Sequence, residues 1–203
     1  MANILQDLRS TVIAGFVLLV IMIIVVGLLT GQYEISMEYQ WWTFLFRWLH
    51  VLSGIMWIGL LYYFNFVQIP SMPKIPDEQK PAIGKVIAPA ALFWFRWAAL
   101  STLVTGIILS ILNGYLASAV MIGLDGDFGG RTTAIGIGMW LGAIMAFNVW
   151  FVIWPNQKKA LGIVEADADA KKKAARIAML FSRTNTALSV PMLYAMVSAQ
   201  NLF

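Results

Sequence analysis

Five stretches of the sequence contain no Asp, Glu, Lys or Arg, and each is about 20 residues long or longer. A helix of about 20 apolar residues is long enough to cross the hydrocarbon core of a bilayer. The stretches are residues 10–33, 48–73, 97–124, 132–157 and 184–203. They predict an all-α integral membrane protein with five transmembrane helices, at about residues 11–30, 41–68, 93–116, 132–154 and 178–201.

The composition supports this fold class and excludes several functions. Of the 203 residues, 60% are hydrophobic and 12% are charged, whereas a soluble domain carries about 25% charged residues. The five spans leave no length for a separate soluble domain, so residues 1–203 are predicted to form a single membrane domain. Soluble enzymes and nucleic-acid binding are excluded as main functions. The absence of cysteine also excludes thiolate metal sites and a covalently bound c-type haem.

The basic residues predict the orientation of the chain in the membrane. Twelve of the 14 Lys and Arg residues lie before the first span, between spans two and three, or between spans four and five. Only Arg47 and Arg131 fall on the other side. Because cytoplasmic loops are enriched in Lys and Arg, the N-terminus is predicted inside and the C-terminus outside. Acidic residues followed by basic ones at 165–176 suit a helix dipole and predict that span five extends into the cytoplasm.

A sequence repeat predicts how the spans are arranged. The pattern M-W-x-G-x-x-x-x-F-N occurs at residues 56–65 and again at 139–148. Spans two to five therefore predict a four-helix bundle of two parallel hairpin repeats, with span one on the flank. The repeat also predicts equivalent surroundings for Trp57 and Trp140. Four further polar residues occupy matched positions, and structural roles are expected for them. Asn65 and Asn148 could each hydrogen-bond to a neighbouring helix, and Arg96 and Arg183 begin spans three and five.

His50 is the only histidine, and it lies on one face of span two with Arg47 and Trp57 when residues are placed about 100° apart. An ionisable residue inside a membrane is a candidate functional group, although a hydrogen-bonded structural histidine is an equal alternative. Neutral imidazole can bind haem iron or copper, and Arg47 could pair with a haem propionate. His50 is thus the candidate metal ligand, with Arg47 and Trp57 as further cofactor-binding candidates. A second ligand would be methionine, water or a partner chain.

Several motifs together resemble a known family. They are RWLHV at 47–51, WIG at 57–59, YFN at 63–65 with Pro70, FWFRW at 93–97, FNVW at 147–150, WPNQ at 154–157 and SRTN at 182–185. These motifs resemble the bacterial membrane-bound urate hydroxylase family, whose membrane part is also called the urate oxidase N-terminal domain. A looser likeness extends to membrane protoporphyrinogen oxidases and copper-resistance D-type proteins. That group is associated with haem b or copper, and the resemblance implies His50 as the ligand.

Two functions remain open from the sequence. Full-length urate hydroxylases of this type have further spans and a cytochrome c domain, and this sequence has no Cys-x-x-Cys-His motif. One expectation is an accessory or structural subunit of a larger membrane redox complex, packed against other membrane subunits or against copies of itself. The other is an oxidoreductase that binds haem b or copper at His50 and oxidises a small substrate such as urate, with an external cytochrome as electron acceptor.

The orientation can be tested by labelling, because the natural chain contains no cysteine. Lys80→Cys and Lys172→Cys should resist a membrane-impermeant thiol reagent in intact cells, whereas Asp127→Cys should react. All three should react after the membrane is permeabilised, which controls for buried thiols. Labelling of Lys172→Cys from outside would contradict the predicted orientation.

Overall fold

The computed structural model describes residues 2–31, 38–125 and 129–203, and this part of the chain is helical without strands. Asp127 lies outside the described residues. The helices are α1 (Ala2–Gln6), α2 (Leu8–Thr30), α3 (Tyr39–Lys74), α4 (Lys80–Leu112), α5 (Leu116–Val120), α6 (Gly130–Ala160) and α7 (Ala168–Asn201). The chain divides into two compact units, Met1–Trp42 and Thr43–Phe203.

The first unit contains α2, an apolar helix with defined ends. Asp7 is its N-cap, and the Asp7 carboxylate accepts hydrogen bonds from the backbone N–H and the hydroxyl of Ser10 at 2.8 and 2.7 Å. Gly31 ends the helix with a φ of 71°, a left-handed conformation that glycine adopts without steric cost. Most of its Val, Ile, Leu and Met side chains are exposed. Lipid is the environment that would cover such a surface.

Membrane-spanning character is clear for most of the predicted spans. Among the described residues, four helices are long and apolar enough to cross a membrane: α2, α3, α4 and α6. The fifth predicted span corresponds to α7, whose many polar residues lower its hydropathy. As predicted, α7 extends well before residue 178, and Asp167 caps it by accepting a hydrogen bond from the N–H of Ala170 at 2.7 Å. The predicted third span ends earlier than expected, at Leu112, because Gly114 takes a left-handed conformation with a φ of 74°.

In the second unit, α3, α4, α6 and α7 share one core. Large buried side chains fill it: Trp57, Leu61 and Phe64 from α3, Leu92 and Phe95 from α4, and Met145, Val149 and Ile153 from α6. Phe64 and Phe95 pack edge to face with ring centroids 5.6 Å apart. Most of the buried residues of α7 are small, such as Ala174 and Ala178, and α7 lies close to α6.

Several polar residues of α7 are buried, while some of its apolar residues are exposed. Its buried positions include Ser182, Asn185, Ser189 and Ser198, whereas Val190 and Val197 are exposed. The opposite arrangement is normal for a helix on the surface of a soluble protein. Helices in lipid instead place serine and asparagine toward neighbouring helices, where these residues find hydrogen-bond partners.

Both copies of the repeated motif end in a π-helical segment. These segments are Tyr63–Gln68 in α3 and Asn148–Ile153 in α6, and a proline follows each of them, at Pro70 and Pro155. The N–H of Ile69 bonds to the carbonyl of Phe64, and the N–H of Trp154 bonds to the carbonyl of Val149, which are both i to i+5 bonds. Proline cannot donate to the carbonyl four residues before it, and a local change of helical register accommodates that loss.

The repeat does not extend to the surroundings of its tryptophans, and that expectation is wrong. Trp57 is 2% exposed and lies in the core, whereas Trp140 is 48% exposed. The short helix α5 packs beside α6 and offers the carbonyl of Val120, which accepts a hydrogen bond from the indole N–H of Trp140 at 3.0 Å.

The close approach of α5 to α6 generates a prediction. A Cβ added at Gly136 would collide with the backbone carbonyl of Ala119 and would lie 3.2 Å from the Cα of Ile122. Gly136→Ala should lower the free energy of unfolding by about 1–3 kcal/mol, because backbone atoms must move. Thermal unfolding in detergent measures the change.

Gly142→Ala is the matched control, since a Cβ at this position in the same helix meets nothing within 4 Å. It should be neutral or slightly stabilising, because alanine favours a helix over glycine by about 1 kcal/mol. Equal losses in the two variants would mean that the α5–α6 contact does not stabilise the fold.

Candidate functional site

His50 lies on α3 and faces α4. Its ring is half-buried, and Nδ1 lies 2.9 Å from the carbonyl oxygen of Thr102 and 3.3 Å from the hydroxyl of Thr105. A carbonyl oxygen can only accept a hydrogen bond, so Nδ1 carries the proton and donates it. The neutral ring then keeps its lone pair on Nε2.

Gly106 provides the space that the ring of His50 occupies. A Cβ at this glycine would lie 2.9 Å from Cε1 and 3.1 Å from Nδ1 of the imidazole. Within the described part of the chain, Nε2 has no hydrogen-bond partner. Metal-binding histidines commonly have this arrangement, in which one ring nitrogen donates to a carbonyl and the other is left for the metal. The residues around His50 therefore fit a haem or copper ligand.

The two other cofactor-binding candidates differ in their positions. Trp57 is buried in the core of the second unit, and its indole N–H is a donor without an acceptor among the described residues. Arg47, one turn before His50, is exposed. The structure thus joins His50 to α4, places Trp57 deeper in the core on the same helix, and leaves the charge of Arg47 at the surface. In the described ranges, no three His, Asp or Glu side chains come together as a metal cluster.

A cavity that the sequence did not predict lies near the C-terminal ends of α4 and α7. Its volume is about 290 Å³, and it is lined by Asn113, Tyr115, Arg131, Thr132, Ile135 and Gln200. Burial raises the pKa of Tyr115, in the connection between α4 and α5, and the charges of Arg47 and Arg131 act in the opposite direction. The sequence does contain a signal for this cavity, because Arg47 and Arg131 are the only basic residues on the predicted outer side. The cavity is positively charged and has amide groups that can donate and accept hydrogen bonds.

The matched asparagines both bond to α7. The Asn65 amide donates to the carbonyl of Leu61 at 2.9 Å and to the hydroxyl of Ser182 at 2.8 Å. The Asn148 amide donates to Asn185 at 2.8 Å, and Asn185 donates to the carbonyl of Met145 at 2.9 Å. These contacts join α3 and α6 to α7 and fit the structural role that the sequence predicts.

The matched arginines have different surroundings. The guanidinium of Arg96 lies over the ring of Trp154, 3.3 Å from its centroid. Arg183 is exposed. Sequence reasoning predicts the same role for both residues at the start of a span, but among the described residues only Arg96 has aromatic side chains of α6 beside it.

The fit between His50 and Gly106 can be tested by a double-mutant cycle. Gly106→Ala should displace the imidazole and break its bond to Thr102, with a loss of about 1–3 kcal/mol in the free energy of unfolding. The same change in a His50→Ala background should have little effect, because the ring is no longer there to collide. Additive losses in the double variant, measured by thermal unfolding, would show that Gly106 acts independently of His50.

Comparison with known proteins agrees with the family resemblance. Residues 116–202 match the family model described as urate oxidase N-terminal, a segment that starts with α5 and includes the motifs at Asn148, Trp154 and Asn185. The histidine motif at 47–51 lies before the matched segment. Neither the search of curated proteins nor the search of solved structures found a match. The match shows that residues 116–202, somewhat less than half of the chain, are similar to the urate oxidase N-terminal family.

Proposed function

We propose that this chain is a five-span redox subunit of a bacterial inner membrane in which His50 supplies one ligand to haem b or copper. The observation that carries the proposal is the hydrogen bond of 2.9 Å from His50 Nδ1 to the carbonyl of Thr102. This bond fixes the tautomer, holds the ring orientation and leaves Nε2 as a base. The similarity of residues 116–202 to the urate oxidase N-terminal family supports a redox role but does not extend to His50.

The fifth span is part of the proposal. Helix α7 is 34 residues long, and its exposed side chains at Leu180, Val190 and Val197 are apolar. Four of its polar residues, Ser182, Asn185, Ser189 and Ser198, are buried against the other helices, where lipid does not reach them. A polar helix sequence can cross a bilayer under these conditions, because its hydrogen-bonding groups are satisfied inside the protein. The basic segments at the N-terminal ends of α4 and α7 then face the cytoplasm.

The residues have distinct tasks in this proposal. His50 holds the metal, and Thr102 with Gly106 positions the imidazole. Arg47 is placed to pair with an anionic group such as a propionate. When bound, haem b supplies a centre that gains and loses single electrons. Arg131 and Gln200 line a cavity that could hold a small anionic substrate such as urate, and an external cytochrome would accept the electrons.

An accessory role in a larger membrane complex is the second candidate. One observation favours it: the imidazole already links α3 to α4 through Thr102 and packs on Gly106. In that case His50 contributes to stability, and the exposed apolar faces of the helices would also contact other membrane subunits or further copies of this chain.

A visible spectrum of the whole purified chain, supplied with haem during expression, distinguishes the two roles. The redox role predicts a Soret band that shifts on reduction, or copper by metal analysis. His50→Ala should lose most of the bound cofactor, and added imidazole should restore part of it by occupying the vacated space. Thr105→Val is the control, because it removes a hydroxyl 3.3 Å from Nδ1 but keeps the bond to Thr102.

The accessory role predicts a different result for the same variants. No haem or copper would be retained by the natural chain, and His50→Ala would lower the free energy of unfolding by about 1–3 kcal/mol through the lost hydrogen bond and packing. Cofactor retained equally by the natural chain and by His50→Ala would contradict His50 as the ligand.

A further inference from the structure

Arg96 is a half-buried cation held by aromatic side chains. Its guanidinium carbon lies 3.3 Å from the ring centroid of Trp154 and 6.0 Å from that of Trp150. The Lys158 ammonium lies 5.7 Å from the same Trp154 ring. Two positive charges thus share one indole at the end of α6 that carries Lys158 and Lys159 in its last turn.

The charge of Arg96 is not neutralised by the protein in the described ranges. Lys80 and Asp77 form an ion pair in these ranges, whereas Arg96 forms none with the residues described. Two nitrogens of Arg96, Nε and Nη1, are buried without a hydrogen-bond acceptor, and so is the indole N–H of Trp150. The π faces of indole rings offset part of the cost of burying a cation. They do not supply the hydrogen-bond acceptors that a guanidinium requires.

The surface beside Arg96 is apolar and aromatic. Trp97 packs edge to face on Trp150 with ring centroids 5.6 Å apart, and Phe93 lies next to Trp97. Both Trp97 and Phe93 are exposed, and so is Phe151 on α6. A ligand that reaches the cationic group from this surface would meet hydrocarbon-like side chains along its length.

We propose that Arg96, Lys158 and Trp154 form a binding site for the phosphate of an anionic glycerophospholipid, with its acyl chains lying along Trp97 and Phe93. A phosphate carries charged oxygen acceptors, which a guanidinium binds more strongly than neutral ones. The second cation favours a headgroup with net negative charge over a zwitterionic one. The lipid belongs to the leaflet on the side of the basic loops, which is the cytoplasmic leaflet in the proposed orientation.

Free phosphate would satisfy the two cations but would make no use of the aromatic surface. The apolar side chains next to Arg96 therefore favour a headgroup attached to acyl chains, since these bury apolar surface that free phosphate leaves exposed. His50 contacts a different part of α4, at Thr102 and Gly106.

Native mass spectrometry of the whole chain in detergent tests the site with phosphatidylglycerol, phosphatidylcholine and inorganic phosphate as probes. The natural chain should retain phosphatidylglycerol in preference to phosphatidylcholine. Arg96→Gln should weaken phosphatidylglycerol binding about tenfold, as expected for the loss of one charge-assisted contact. Arg183→Gln is the matched control, because it removes the same charge from the exposed, repeat-related position, and it should bind as the natural chain does.

Lys158→Glu provides a second variant in case Arg96→Gln fails to fold. This change at a half-buried lysine near the helix end should also lower phosphatidylglycerol binding. The proposal is overturned if phosphatidylcholine binds as well as phosphatidylglycerol, or if Arg183→Gln weakens binding as much as Arg96→Gln. Full displacement of the lipid by millimolar phosphate would overturn the assignment to a phospholipid and indicate a free-anion site instead.

Discussion

Hydrocarbon offers no hydrogen bonds, and this constraint determines how the helices of this protein pack. Every polar group at membrane depth needs a partner within the protein, or it costs several kcal/mol. Three buried polar residues of α7 therefore bond to the helices around it: Ser182 to Asn65, Asn185 to Asn148, and Ser189 to Tyr62 at 2.9 Å. Apolar side chains are about as stable in lipid as in the protein core. These polar contacts therefore give the bundle much of its specificity.

Much of the fold could be predicted from the sequence, because long charge-free stretches correspond directly to helices. The motif repeat was also informative, since Asn65 and Asn148 both lie in π-helical segments before a proline and both bond to α7. The environments of Trp57 and Trp140 could not be predicted in this way. They depend on α5, a five-residue helix whose position against α6 follows from tertiary contacts at Gly136.

The candidate site was only partly accessible to sequence reasoning. Periodicity placed His50 on an inward face, because an isolated ionisable residue is conspicuous in an apolar span. It could not reveal that Thr102 and Gly106, more than 50 residues away, receive the ring. The same limit applies to Arg96 and Arg183: their local sequences match, but Trp154 comes from another helix and stands beside only the first of them. Arg131 and Tyr115 likewise meet at one cavity through folding alone.

The buried serine and asparagine residues of α7 have a consequence for membrane insertion. A segment rich in asparagine and serine partitions weakly from the protein-conducting channel into lipid by itself. Helix α6 carries Met145 and Asn148, which bond to Asn185, so it can shield these groups while both segments leave the channel. The two helices would then enter the membrane as one hairpin. In such a pathway, a substitution of Asn185 would reduce the fraction of newly made chains that acquire the correct topology. This effect on insertion would be larger than its effect on the stability of assembled protein.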